Sequence, residues 1–402
     1  MPIRQLSVSG VRNLAPLKLQ AHPRVNFIYG DNGSGKSSLL ESIALLSTGK
    51  SFRSNQIKQL INHEADRLEL SCMLVADPEL QSEQQSDTAK QGEASVSDDA
   101  VGGAIDAASG SDIAKKDLYS LRLRNGDVLF RLNGSVLTSQ ADVATHLPVQ
   151  VIEPNTFRLL VGSPEDRRQF LDWGVFHVVP EFIEQWRVFR KVLKQRNSVL
   201  KQKEESWLDA WDSGFVEASE KIHQHRIKYI EQFVPRFEET LKALDPNIQV
   251  RLAYYPGWEK DSNLADVLNR QRERDLQVGY TQSGPHRAEL RIKVDKLSAA
   301  DVLSRGQQKT VVAALKLTQG ILFKQHCGTA PIYLVDDLAS ELDSGHRLAL
   351  CQLLEDLKCQ VFITSIEKQQ LMDSWSPSDF KVFHVEHGEV REEPATASDT
   401  PD

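Results

Sequence analysis

Cysteine is scarce: Cys72, Cys327, Cys351 and Cys359 are the only four in 402 residues, and none are paired at a metal-ligand spacing. Reduced, buried thiols are preferred over a zinc or disulfide role. Long hydrophobic runs are missing too. Nothing approaches the ~20 apolar residues of a membrane-spanning helix, and Met1 to Leu6 lacks the apolar core of a signal peptide. A cytosolic location is therefore expected. There is no excess of positive charge, since 48 Lys and Arg stand against 56 Asp and Glu, a net −8. This argues against a chain that is basic all over. It leaves room for a local basic face, because local potential governs contact with phosphate. The length suits two or three domains.

What is present is a phosphate-binding loop. Gly30-Asp31-Asn32-Gly33-Ser34-Gly35-Lys36-Ser37 fits G-x-x-x-x-G-K-[ST]. Small residues let successive backbone N–H groups turn onto a phosphate. Lys36 is placed to reach the β- and γ-phosphates, and the Ser37 hydroxyl to ligate Mg²⁺. Val25 to Tyr29 reads as a buried strand entering the loop, and Ser38 to Leu46 as the helix leaving it, ending near Gly49. The chain is expected to bind a nucleoside triphosphate.

Around the loop, Ile3 to Val8, Leu17 to Gln20, Leu68 to Ala76, Leu118 to Leu123, Val128 to Leu132 and Val149 to Ile152 read as strands. Arg53 is either an ordinary surface residue or a cation near the phosphates. Gln81 to Lys116 has no aromatic residue and few large aliphatics, so a disordered insertion is expected. Ser163 and Pro164 have the form of a helix N-cap and first residue. The following Arg167 and Arg168 could reach phosphates or neutralise Glu165 and Asp166, the structural role being slightly preferred. From Phe182 to about Leu244 the pattern is long helices. Arg187, Arg190, Lys191, Lys194, Arg196, Lys201 and Lys203 form a basic run there, read either as a solvated face or as DNA-backbone contact. His286 alone is more readily a hydrogen-bonded structural residue than a ligand.

Further on, Leu303-Ser304-Arg305-Gly306-Gln307-Gln308-Lys309 precedes a helical segment, Thr310 to Phe323, and offers either an anion site or a plain N-cap. Ile332 to Val335 is a hydrophobic strand ending in Asp336-Asp337. Beside a phosphate loop, Asp336 is the expected Mg²⁺-side ligand, and Asp337 can orient or deprotonate the attacking water. Gln360 to Ser365 is another buried strand. After Phe383 an acidic, disordered tail is expected.

Loop, Leu-Ser-x-Gly-Gln signature, double-acid strand and Ser-x-Leu-Asp, in this order, resemble the ABC-type ATPases. Among them the chain is similar to the RecF family of SMC-like recombination mediators. The matching residues are Gly162-Ser163-Pro164 with Arg167-Arg168, Lys194-Gln195-Arg196-Asn197, Thr281 with Gly284-Pro285-His286-Arg287, and Asp336 through Asp343. The resemblance implies an α/β fold, an ABC-type ATPase head with a mixed sheet flanked by helices and an inserted, mainly helical arm. The head would occupy 1–172 and 276–388, the arm 173–275 and the tail 389–402.

It further implies a homodimer formed on ATP, in which Ser304, Gly306 and Gln307 of one protomer close on the nucleotide of the other. Gly30 to Ser38 would hold ATP and Mg²⁺, with Arg12 and Asn13 at the nucleotide's border and Ser340 to Asp343 facing the dimer. Lys36, Asp336 and Asp337 would be the catalytic residues. Three departures from the ABC pattern stand out: Arg305 within the signature, Asp337 in place of a glutamate, and Ser365 in place of a switch histidine. The last two suggest slow hydrolysis, suited to a clamp. The implied role is a weak, DNA-stimulated ATPase of recombinational repair. It would bind duplex DNA beside single-stranded gaps, help RecO and RecR load recombinase, and serve replication restart and the SOS response. A transporter ATPase subunit is the alternative; the large helical arm and its basic run argue against it.

Overall fold

The computed structural model describes residues 1–54, 59–76, 115–154, 157–338, 342–375 and 379–394. The chain divides into two compact units. Met1–Val151, Gly328–Ala339 and Leu354–Asp402 form the first; Ile152–Cys327 and Ser340–Leu353 form the second.

Two six-stranded sheets build the first unit. One is antiparallel, ordered Leu17–Gln20, Ile3–Ser9, Arg67–Val75, Lys115–Leu123, Val128–Leu132, Ser135–Leu137. Its strands alternate; Leu68, Leu70, Cys72 and Leu74 are buried along one of them while the residues between are not. The other sheet is ordered Glu389–Glu393, Phe380–Glu386, Val25–Tyr29, Val361–Ser365, Ile332–Val335, Val149–Ile152. Its central strands run parallel, with Phe27 opposite Ile363 and Leu334 opposite Phe362. They are buried on both faces and mostly apolar, as strands covered on both sides are. The helix Lys36–Thr48 is buried almost all round and shares one core with residues of both sheets. The buried Gln360 joins the sheets: its amide accepts from the Ile3 N–H at 2.8 Å and donates to the Ile3 carbonyl at 2.7 Å. This mixed α/β head is the expected fold.

The second unit is mainly helical. Its long helices are Pro164–Val178, Phe182–Gln202, Leu208–Leu244, Leu264–Val278 and Arg305–Cys327, with a three-stranded antiparallel sheet of Leu297–Ser298, Glu289–Val294 and Arg251–Tyr255. Ser163 caps the helix Pro164–Val178 in a capping box with Asp166, as its Ser-Pro start predicts. This unit extends beyond the expected arm boundaries of 173–275 because neighbouring helices pack onto the arm. Phe170 meets Phe233 edge-on at 5.8 Å, and Gln319 donates to the Phe170 carbonyl at 2.7 Å.

Three expectations change. Lys115 and Lys116, placed in the insertion, begin the strand Lys115–Leu123; the rest of that insertion lies outside the described residues. Glu389–Glu393, placed in the tail, is a strand, because it pairs along its length with Phe380–Glu386 (His384 opposite Arg391, Val385 opposite Val390). The signature helix begins at Arg305 and runs to Cys327, longer than expected at both ends.

Candidate functional site

The phosphate loop sits between the end of Val25–Tyr29 and the start of Lys36–Thr48. Two of its glycines are required by the backbone. Gly30 has φ +146° and Gly35 φ +123°, and a Cβ on Gly30 would stand 2.1 Å from the Val385 carbonyl oxygen. Lys36 is 8 % exposed and folds over the loop, its Nζ donating to the carbonyls of Gly30 at 2.5 Å and Asp31 at 2.9 Å. Burial lowers its pKa, opposed by the charges of Asp337, Asp336 and Asp31. A cavity of about 750 Å³ opens beside the loop, lined by Asn32, Gly33, Gly35, Lys36, Ser37 and Ser38 together with residues of the neighbouring segments.

Asp336 and Asp337 also line that cavity. Asp336 Oδ1 accepts from Ser37 Oγ at 2.9 Å and from Thr364 Oγ1 at 2.8 Å. Burial raises the Asp336 pKa, and those two hydrogen bonds, with the charge of Arg53, oppose the rise. Arg53 lines the cavity, which favours the second of its two readings. Thr364 also accepts the Asp337 N–H at 2.8 Å, fixing Asp337 in a left-handed conformation, φ +54°. Hard oxygen donors around an acid suit a magnesium ion, so Ser37 and Asp336 fit that role chemically.

Arg12 and Asn13 border the same cavity. Asn13 Nδ2 donates to the Gly33 carbonyl at 2.9 Å, and its Oδ1 accepts from Ser38 Oγ at 3.1 Å. Arg12 forms a bidentate pair with Glu41, a fully buried acid that also accepts from Ser51. Gly388 supports the loop from behind: its N–H donates to the Ser34 carbonyl at 2.8 Å, and its carbonyl accepts from Ala15 N–H at 3.0 Å. Sequence reasoning singled out neither Glu41, Thr364 nor Gly388. The only signal was the polar end of the strand Val361–Ser365. Ser365 is buried and donates to Gln370 Oε1 at 2.8 Å.

The signature residues belong to the second unit and do not line this cavity. Ser304 precedes the helix Arg305–Cys327 and exchanges hydrogen bonds with Gln307. Its Oγ accepts from Gln307 N–H at 3.3 Å, and its N–H donates to Gln307 Oε1 at 3.0 Å. A Cβ placed on Gly306 would meet nothing within 4 Å. Of the Ser340 to Asp343 segment, Ser340 and Glu341 lie outside the described residues. Asp343 Oδ2 pairs with His346 Nδ1 at 2.6 Å.

Two arginine readings change with the geometry. Arg196, placed in the basic run, is fully buried, because Asp212 and Asp275 hold it at 2.6 and 2.8 Å. Arg167 pairs with Glu289 at 2.6 Å rather than with Glu165 or Asp166, and Arg168 donates to the Ala288 carbonyl at 3.0 Å. His286 is structural: it hydrogen-bonds the Thr281 carbonyl at 3.0 Å, and burial pushes its pKa down to about 4.

Residues 2–391 match the RecF/RecN/SMC N terminal domain family. The DNA replication and repair protein RecF of Pseudomonas paraeruginosa (strain PA7) is 44 % identical over 393 residues, 97 % of both chains. That of Stutzerimonas stutzeri (strain A1501) is 44 % identical over 396 residues, again 97 % of both. A solved structure described as the recombination mediator protein RecF-ATP in the RecFOR pathway covers 98 % of both chains, with TM-score 0.78 and 24 % identity. An Smc head bound to the C-winged helix domain of ScpA aligns over 99 % of both at TM-score 0.55 and 15 % identity, a likeness of fold alone.

Proposed function

The chain belongs to the RecF/RecN/SMC N-terminal-domain family, and from that premise we propose that it is an ATP-dependent DNA clamp of recombinational repair. The observation that carries the reading is the convergence of Ser37, Asp336 and Thr364 beside Lys36 at a phosphate loop. Gly30 to Ser38 would hold the triphosphate. Lys36 would exchange its two loop carbonyls for phosphate oxygens, a short move for a side chain already over the loop. Ser37 and Asp336 would hold Mg²⁺, which supplies charge neutralisation on the phosphates when bound. Asp337, fixed by Thr364, would orient the attacking water; one methylene shorter than glutamate, it suits slow turnover.

In the dimer, Ser304, Gly306 and Gln307 would meet the partner's nucleotide. Ser304 Oγ accepts locally and keeps its own proton to donate, and the space over Gly306 is open to a second molecule. ATP would thus join two protomers on duplex DNA near a single-stranded gap, in the company of RecO and RecR. One structural neighbour is a recombination mediator of the RecFOR pathway, which supports those partners. The transporter alternative finds no support among these relatives.

The test compares wild type with Lys36→Ala, each with and without ATP, for duplex binding and for mass by light scattering. ATP-dependent dimerisation and DNA retention, both abolished in the variant, are expected. ATP binding without DNA affinity at any salt would sink the proposal.

A further inference from the structure

At the start of the helix Pro164–Val178 the second unit carries an open cleft of about 620 Å³, bounded by the strand Glu289–Val294. Leu290 and Ile292 are buried, so Glu289, Arg291 and Lys293 stand on the opposite face of the strand. The paired strand places Tyr255 opposite Glu289, Ala253 opposite Arg291 and Arg251 opposite Lys293. Like charges directly opposite one another destabilise a sheet, so Arg251 and Lys293 carry a penalty that a bound anion would relieve.

Of the two acids that line the cleft, Glu289 is held by Arg167, which leaves Glu165, hydrogen-bonded by the neutral Gln169 at 3.2 Å, as the one carboxylate charge set against this face. Among the described residues, Arg251, Arg287, Arg291 and Lys293 have no ion pair. Two of them are fixed over rings, Arg291 at 5.1 Å from the Tyr255 centroid and Arg287 at 5.5 Å from that of Tyr280. Stacking orients the planar donor fork, the geometry that suits phosphate. In a chain of net charge −8, three cations without ion pairs on one face of a small sheet, with Arg287 lining the adjoining cleft, are a local departure.

We infer that this sheet face and the adjoining cleft dock the sugar-phosphate backbone of duplex DNA, with Arg251, Arg291 and Lys293 of the sheet and Arg287 of the turn before it on phosphates. The inference rests on the clamp reading and names its contact surface. An open, extended face suits a polymer rather than a small anion. It also lacks the apolar anchors of a protein interface, since Leu297 is the one exposed large hydrophobic residue in these three strands.

The test uses full-length Arg291→Gln/Lys293→Gln with saturating ATP, measuring anisotropy of a short labelled duplex over a salt series. Arg251→Gln serves as a second variant, and Arg190→Gln/Lys191→Gln on the arm helix as the competing surface. Affinity of the double variant should fall about tenfold or more, and its log-affinity against log-salt slope should drop by about 2, one for each phosphate no longer neutralised. Arg251→Gln should reduce that slope by about 1, and the arm-helix variant should match wild type. Circular dichroism and ATP binding of all three variants should be those of wild type. Unchanged duplex binding by the sheet variants, or weakened binding by the arm-helix variant instead, would overturn the inference while leaving the clamp reading standing. Wild type that binds no duplex at any salt would overturn both.

Discussion

Asp336 carries opposing demands. Burial raises its pKa, so between the ordinary carboxylate value and the raised one the folded chain holds a proton that the unfolded chain has released. Stability therefore falls as pH rises through that window, and at neutral pH the ionised Asp336 is a net penalty to the nucleotide-free fold. Asp336→Asn is expected to raise the unfolding temperature of the nucleotide-free protein at neutral pH while abolishing Mg²⁺-dependent ATP hydrolysis. Calorimetry beside a phosphate-release assay checks this; a lowered unfolding temperature would contradict it. Asp336 was legible in the sequence because a hydrophobic strand ending in two acids has a local signature. Glu41 was not. It looks like an exposed helix residue, and only the fold reveals that Arg12 and Ser51 surround it. Arg196 failed in the opposite direction: its acids, Asp212 and Asp275, lie 16 and 79 residues away.

Large rings such as Phe189, Phe215, Phe233 and Phe237 fill the core of the second unit, and at one helix crossing a small residue is required. A Cβ on Gly174, in Pro164–Val178, would stand 2.2 Å from the Tyr229 hydroxyl oxygen in Leu208–Leu244. Gly174→Ala should cost about 1–3 kcal/mol by forcing a rigid ring aside, read as a lower denaturant midpoint. Burial also pushes His177 down to about 3 and His286 down to about 4 from 6.5. Below pH 6.5 the unfolded chain takes up these protons first, so stability is lost as pH falls from 6.5 towards 4, with a slope of up to two protons. His177 lies among the rings of Trp173, Phe176 and Phe323. His177→Phe should remove about one proton from that slope; urea titrations at several pH values decide it. The helices themselves were legible from periodicity and from the Ser163 cap. Their boundaries as a unit were not, because packing between distant segments set them.

At the scale of the whole molecule, the first unit draws its site from both ends of the chain. The turn at Gly388, which leads into the strand Glu389–Glu393, holds the phosphate loop through Ser34, although the acidic composition of that strand reads as a tail. Gly388 has φ +85°, and a Cβ there would stand 1.9 Å from the Asn13 carbonyl oxygen. Gly388→Val should weaken ATP binding by about tenfold or more, ~1.4 kcal/mol, with circular dichroism retained. Titration calorimetry returning wild-type affinity would show that the turn has no hold over the loop. The same arrangement bears on chain cleavage. Asp336 lies 299 residues after Ser37, and Thr364 and Gly388 lie further still. A cut anywhere between, followed by separation of the pieces, would leave the loop with neither its acid nor its backing.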